Sequence, residues 1–228
     1  MPEPRTPLPA PARAQDDLPA VREPLQARSK ESFARVQDAA LSLLRERGDD
    51  SFTLAEVSER SGVSTGSIYG RVRGKDALLR LVHERELERI DAETLTAFAA
   101  AATGQDTLTG SVRALVTALA RMLQAEAGVL RPFMLRAVHD PEVARLGRHY
   151  SDREIAVFCD ALLRHRAQIR RADPETAVAW CHTVVYSVIA RRLGLGSTAE
   201  GASGPEVDVM VDRLSSMVSS YLLTPDAD

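Results

Sequence analysis

The 228-residue chain predicts an all-α fold: an N-terminal three-helix unit of helix-turn-helix form, joined by a long helix to a C-terminal helical region. Three observations carry this. Aromatic residues make up only 4% of the chain, against 44% apolar and 27% charged residues, and β-branched side chains rarely alternate with polar ones, which disfavours a sandwich or barrel. From Phe33 onward apolar residues recur at helical spacing. Glycine stops and Ser, Thr or Asp-Pro-Glu starts divide that pattern into helix-sized pieces.

Residues 1–28 contain Pro2, Pro4, Pro7, Pro9, Pro11, Pro19 and Pro24 with mixed charges and few large apolar side chains, so a disordered arm is expected there. Ser29 reads as the cap of a first helix through Phe33, Val36, Ala40, Leu43 and Leu44, which Gly48 ends. Phe52-Thr53-Leu54-Ala55-Glu56-Val57 then combines a Thr/Glu capping box with a Phe52 to Val57 staple and starts a short helix at Leu54. That helix stops at Ser61-Gly62, and Ser64 caps the next one.

These elements define a unit over 29–75, followed by a region over 76–228. Leu78, Leu79, Val82, Leu87, Ile90, Ala97 and Phe98 predict a linking helix over 76–102. Further helices are expected near 108–126, 129–138, 141–169, 174–194 and 205–223. Asp140-Pro141-Glu142, Asp173-Pro174-Glu175 and Gly204-Pro205-Glu206 each place proline at a first helical position with an acid beside it.

A net charge of −3 excludes the simple case of a wholly basic nucleic-acid binder, so any such surface must be local. Cys159 and Cys181 sit in apolar runs without metal-ligand spacing and read as buried thiols in a reducing compartment. No apolar leader is visible, and the longest uncharged apolar stretch, Ala177 to Ala190, is 14 residues, short of a bilayer span. The expectation is a cytoplasmic protein without a membrane partner.

The segment Thr53 to Lys75, TLAEVSERSGVSTGSIYGRVRGK, has helix-turn-helix layout, with Leu54, Val57, Val63 and Ile68 inward and the second helix placed to enter a major groove. No acid occurs from Ser61 to Lys75, while Arg71, Arg73 and Lys75 concentrate positive charge, so phosphate can approach without repulsion. A basic run alone is more often a solvated face, and the helix-turn-helix frame is what selects the binding reading. Gly66 and Gly70 each cost about 1 kcal/mol relative to alanine inside a short helix. Close approach to DNA accounts for them where packing does not.

Over residues 53–79, TLAEVSERSGVSTGSIYGRVRGKDALL, the sequence resembles the TetR family of bacterial transcription regulators, with the leading helix and the linking helix in the family's places. Together with the local charge and the helix-turn-helix layout, the resemblance gives an expected DNA-binding set of Thr53, Ser64, Thr65, Gly66, Ser67, Tyr69, Arg71, Arg73 and Lys75. Ser64, Thr65 and Ser67 open the recognition helix toward base edges or phosphates. Tyr69 matches a tyrosine that touches the backbone or a thymine methyl, and Lys75 matches a lysine set against a phosphate. The chain departs from the family at Arg71 and Val72, where His or Tyr followed by Phe is common. Arg71 there adds a phosphate or guanine contact, and Val72 fills less of the junction with the linking helix.

Two catalytic-looking motifs fail on context. Gly62-Val63-Ser64-Thr65-Gly66 matches a nucleophile elbow, which needs a preceding strand, and here a capped helix precedes it. Gly194-Leu195-Gly196-Ser197-Thr198-Ala199 matches a dinucleotide fingerprint but follows a helix, so it reads as a stop and loop. None of His83, His139, His149, His165 and His182 has the Glu-x-x-His or His-Glu-x-x-His spacing, so no metal and no cofactor are expected.

In the C-terminal half, Ala177 to Ala190 is apolar nearly all round, and Val207, Met210, Val211, Leu214, Val218 and Tyr221 form a stripe with Ser215, Ser216, Ser219 and Ser220 nearby. A four-helix homodimer interface explains both, and the resemblance implies the same; the plainer reading is that both stripes face the chain's own core. Phe133, Met134, Phe158, Trp180 and Tyr186 are candidates to line an effector pocket, with His139 or His182 as a polar group, although each alone reads as core packing. The expected function is a ligand-responsive repressor binding a pseudo-palindromic double-stranded DNA operator as a homodimer, its small-molecule effector unidentified. The rivals are a helical enzyme, for which no converging polar set is found, and a helical interaction module, which would not need the acid-free segment.

Overall fold

The computed structural model describes residues 25–196 and 206–226. Among them run eight α-helices: α1 (Leu25–Arg47), α2 (Leu54–Ser61), α3 (Thr65–Tyr69), α4 (Lys75–Ala102), α5 (Leu108–Arg136), α6 (Pro141–Leu163), α7 (Pro174–Arg192) and α8 (Val207–Leu223). A short 3-10 turn, Arg166–Gln168, lies between α6 and α7. The all-helical expectation holds, as do the starts of α2, α5, α6 and α7, each with a side-chain cap from Thr53, Thr107, Asp140 and Asp173. Most of the expected arm, residues 1–24, lies outside the described residues, as does the Gly204-Pro205 start of the last helix.

Four boundaries differ from the sequence reading. The first helix opens at Leu25, directly after Pro24 in the sequence, so Ser29 is inside the helix and its carbonyl accepts from the Ser32 hydroxyl instead of capping. The stretches read as two helices over 108–126 and 129–138 form the single helix α5. Gly128 takes no left-handed conformation there, and Pro132, one turn later, merely omits the bond to the Gly128 carbonyl while Val129, Pro132 and Phe133 are buried. Helix α6 ends at Leu163 rather than 169, because His165 and Gln168 turn to tertiary partners: Ser111 Oγ lies 2.7 Å from His165 Nε2, and the Gln168 side-chain oxygen Oε1 accepts from Leu108 N at 2.9 Å. Helix α7 stops at Arg192 before the left-handed Gly194.

Two buried clusters organise the chain. The N-terminal one gathers Val36, Ala40 and Leu44 of α1, Phe52 and Val57, Ile68 of α3, and Leu78, Leu79 and Val82 of α4. It does not stop at residue 75, since Val129 and Phe133 of α5 and Val143 of α6 complete it. The second cluster joins Phe98 of α4 to α5, α6, α7 and α8 through residues such as Leu115, Leu119, Phe158, Val185 and Leu214. Helix α4 therefore has one end in each core.

The stripe on α8 is corrected by this packing. Met210, Val211, Leu214 and Val218 are buried within the chain, and Val207 and Tyr221 pack partly against the same core, so they are taken up by the chain's own bundle. The side that α8 leaves exposed carries Val209 and Met217, and the exposed side of α7 carries Trp180 and Val188.

Candidate nucleic-acid interface and ligand cavity

The two helices of the helix-turn-helix are fixed by side-chain caps. Thr53 Oγ1 accepts from Glu56 N at 3.3 Å, and the Glu56 carboxylate accepts from Thr53 N at 2.7 Å, closing both halves of the box. Glu56 is also paired with Arg47, and that contact, with the Thr53 bonds, lowers its pKa to about 2. Gly62 ends α2 in the left-handed region, φ 66°, which a side chain would strain. Ser64 then caps α3, accepting from Ser67 N at 3.3 Å, while its hydroxyl lies 2.8 Å from that of Ser67. Thr53 and Ser64 are thus structural caps as well as candidate contacts.

Helix α3 is pinned by Ile68, wholly buried, and by Val72 just after it. Opposite them Gly66, Ser67, Tyr69 and Gly70 face outward, with Thr65 half-buried. Tyr69 is 57% exposed, a large ring left on the surface beside Arg71 and Arg73, which are also exposed. Gly66 has helical, not left-handed, backbone, and a Cβ there would meet open space. The fold itself does not demand a glycine at 66. Of the cations, Arg71 rests over the Phe33 ring at 5.2 Å from its centroid. Lys75 departs from expectation: its amine donates to the Asp50 carbonyl and stands over the Phe52 ring, so it is engaged inside the protein rather than displayed.

The junction above this surface is a charge cluster. Arg136, in the last turn of α5, reaches Asp50 at 2.5 Å, Asp76 in the first turn of α4 at 2.7 Å, and Asp140, the cap of α6, at 3.2 Å. Burial opposes its charge, but the Asp76 and Asp50 carboxylates more than offset that, so its pKa is raised.

A cavity of about 380 Å³ lies between α4, α5, α6 and α7. Phe133, Met134 and Tyr186 line it, as the sequence suggested. The other candidates fall elsewhere. Phe158 is wholly buried core, edge-on to Phe98 at 5.9 Å. Trp180 is 57% exposed on the outer side of α7, because the helix turns its Ala177, Val178 and Cys181 side inward. His139 is exposed, in a separate depression that Asp76 and Arg136 also line. His182 is buried behind the wall, its Nε2 2.9 and 3.1 Å from the two carboxylate oxygens of Glu154, which does line the cavity. Cys159 and Cys181 are free thiols, one half-buried and one buried, and burial raises them to about 11 and about 12.

Against known proteins, the family model for bacterial regulatory proteins of the tetR family matches residues 37–82, from within α1 to the first turns of α4. The HTH-type transcriptional regulator BetI of Burkholderia thailandensis is 32% identical over 143 residues, covering 59% of this chain and 71% of that protein. The chain belongs to the TetR family of bacterial regulatory proteins. BetI of Burkholderia mallei is 28% identical over 149 residues, covering 64% of this chain and 75% of that protein. The fold of this TetR-family chain is shared by solved structures. A protein assigned to the family from Mesorhizobium loti superposes with TM-score 0.68 at 16% identity, covering 86% of this chain and 96% of that one. A TetR transcription regulator from Haloarcula marismortui gives 0.62 at 15%, covering 85% and 97%. The chain is accordingly a DNA-binding transcription regulator.

Sequence reasoning about this TetR-family chain missed most of the cavity wall: His83, Leu87, Ile90 and Thr94 of α4, Met122, Leu123 and Leu130 of α5, and Tyr150 and Glu154 of α6. A signal was there. His83, Thr94 and Glu154 are polar residues at core-facing positions of otherwise apolar stripes, such as Val143, Glu154, Phe158 and Ala161 on α6. No helix among the described residues is long and apolar enough to cross a membrane.

Proposed function

We propose that the chain is a cytoplasmic, homodimeric repressor that holds a pseudo-palindromic operator and releases it when a small molecule enters the cavity along α4. The single observation behind this is the course of α4: its first turns, Leu78 to Val82, are built into the helix-turn-helix core, and its next face, His83 to Thr94, lines the cavity. A ligand that prefers one placement of α4 then prefers one placement of α3, and by linkage its binding and DNA binding oppose each other. Domains are read as 29–75 for DNA and 76–228 for ligand and dimer, with the 76–102 helix shared.

Within the interface, Thr65, Gly66, Ser67 and Tyr69 are assigned to base edges and adjacent backbone, and Arg71 and Arg73 to phosphate. Lys75 joins them only by leaving Asp50. Dimerisation is assigned to the exposed sides of α7 and α8, through Trp180, Val188, Val209 and Met217, instead of the buried stripe. A symmetric pair of copies matches the two half-sites of a pseudo-palindrome. The test is a gel shift on the DNA upstream of the protein's own gene. A discrete complex of dimer stoichiometry supports the reading, and a smear that competitor DNA removes equally well contradicts it.

A further inference from the structure

On the reading that this cavity is the effector site, we propose that it receives a lipophilic primary amine, its ammonium held between Glu154 and Thr94 and its apolar body running along α4 toward His83. Four residues of α4 face the space in one line, His83, Leu87, Ile90 and Thr94. Eleven residues of helix separate the ends by about 16 Å. The middle of the line is apolar, and α5 opposes it with Leu123, Leu130 and Phe133. An elongated apolar body fits that run, and its polar group belongs at an end.

The two ends differ in charge. At the Thr94 end the lining carries two acids, Glu154 and Asp91, with the buried His182 behind Glu154. Glu154 is 9% exposed, and its partner His182 Nε2 supplies one donor to a carboxylate with about four acceptor sites. Asp91 also lines the space and is paired with Arg153 at 2.9 Å, whose side chain is half exposed. Arg153 precedes Glu154, and Asp91 lies three residues before Thr94, so that ion pair sets the two at one level of the bundle. The one basic residue of the lining besides the histidine, Arg148, is exposed at the rim. Negative groups therefore point in and positive groups point out. Burial raises the phenols of Tyr150 and Tyr186, and Glu154 raises Tyr186 further.

Thr94 adds an independent demand. It is 2% exposed, and its Oγ1 has no hydrogen-bond partner. A buried polar atom left unpaired in a cavity wall calls for a guest with a matching group. An ammonium has three N–H donors to distribute among Thr94 Oγ1, the Glu154 carboxylate and the ring face of Tyr186. A hydroxyl offers Thr94 a hydrogen bond but brings no positive charge to Glu154 and Asp91, and a carboxylate guest places a third acid beside them. At the other end His83 Nδ1 is also unpartnered, but burial lowers the imidazole to about 4, so it stays neutral and offers no cation to an anionic head.

Dodecylamine, dodecanol and dodecanoate share a chain and differ in head charge, so they separate these cases when tested on the full-length protein below the micellar concentrations of the two ionic probes and the solubility limit of dodecanol. The amine is expected to raise the melting temperature and bind at least about tenfold more tightly than the alcohol, and the dodecanoate to give no shift. Glu154→Gln is expected to remove the preference for the amine over dodecanol. Thr94→Val, which keeps volume and deletes only the hydroxyl, is expected to weaken the amine about threefold to tenfold, so the proposal remains exposed should Glu154→Gln fold poorly. Dodecanoate binding as well as the amine, an amine affinity unaltered by both variants, or no binding by any probe overturns the assignment. Operator release separates it from the reading it rests on. Amine binding that depends on Glu154 but leaves DNA bound sustains the ligand class and ends the regulatory reading; release by dodecanoate alone does the reverse.

Discussion

Replacing Arg136 by alanine should loosen the helix-turn-helix from the rest of the molecule. Its guanidinium joins three elements through Asp50, Asp76 and Asp140, and its side chain is only 15% exposed. The three losses are unequal. Asp76 is 73% exposed and Asp50 37%, so each contact is worth about 0.5 kcal/mol after solvent screening. Asp140 is 5% exposed, but it keeps Arg80 at 3.1 Å and the backbone N–H groups of Glu142 and Val143, so its loss is about 1–2 kcal/mol rather than that of a stranded charge. The sum is roughly 2–3 kcal/mol, measured as a lower urea midpoint at unchanged slope. Arg136→Lys should recover less than half, since a compact ammonium lacks the planar, spread N–H groups with which the guanidinium reaches Asp50, Asp76 and Asp140 at once. Operator affinity should fall with stability, because Asp50 and Asp76 flank the DNA-binding helices. A loss under about 0.5 kcal/mol, within the range of an ordinary surface substitution, would refute this coupling.

Other consequences are equally direct. Gly66→Ala should raise stability slightly, by up to about 1 kcal/mol since a Cβ there meets nothing, yet weaken operator binding measured by fluorescence anisotropy; unchanged binding would free Gly66 of any role in DNA approach. Tyr69→Phe should leave the melting temperature unaltered, and a uniform loss on operator and random DNA would assign the hydroxyl to phosphate, whereas no loss on either would assign the ring to packing alone. Met217→Glu should convert a species near 50 kDa, twice the 24.8 kDa chain, to monomer in sedimentation without lowering helix content, whereas Leu214→Glu should unfold the chain. His83, held near 4 in the folded state against about 6.5 unfolded, should cost stability as pH falls from about 6.5 to 4, since the unfolded state binds the proton first. The full effect approaches about 3 kcal/mol, and a His83→Leu variant should lack that part of the slope when the two pH profiles are subtracted.

Local signals in the sequence were decisive where one residue sets one conformation. The Thr53/Glu56 box, the left-handed Gly62 and the Ser64 cap fixed the helix-turn-helix because capping depends on neighbours within four residues. The wrong boundaries arose where distant contacts outweigh local preference: α5 continues past Gly128 and Pro132 because Val129 and Phe133 are packed into the N-terminal core, and α6 stops early because His165 and Gln168 find partners on α5. The α8 stripe shows a different limit. Periodicity reveals that Met210, Leu214 and Val218 share a buried side, but a core and an interface have the same apolar signature, and only the packed chain shows which one takes them. Trp180 was misplaced for the complementary reason, since a large aromatic reads as core in any sequence and here faces outward.

The central claim is that α2 and α3 read a particular DNA sequence. The most direct measurement is equilibrium anisotropy of the full-length protein on a labelled duplex from its own upstream region and on a shuffled duplex of the same composition, each across a salt series. The account predicts at least about a thousandfold preference for the native duplex at physiological salt, with Arg71→Ala reducing the salt slope on both duplexes by about one unit. Equal affinity for the two duplexes, or a slope unaltered by that substitution, would contradict it.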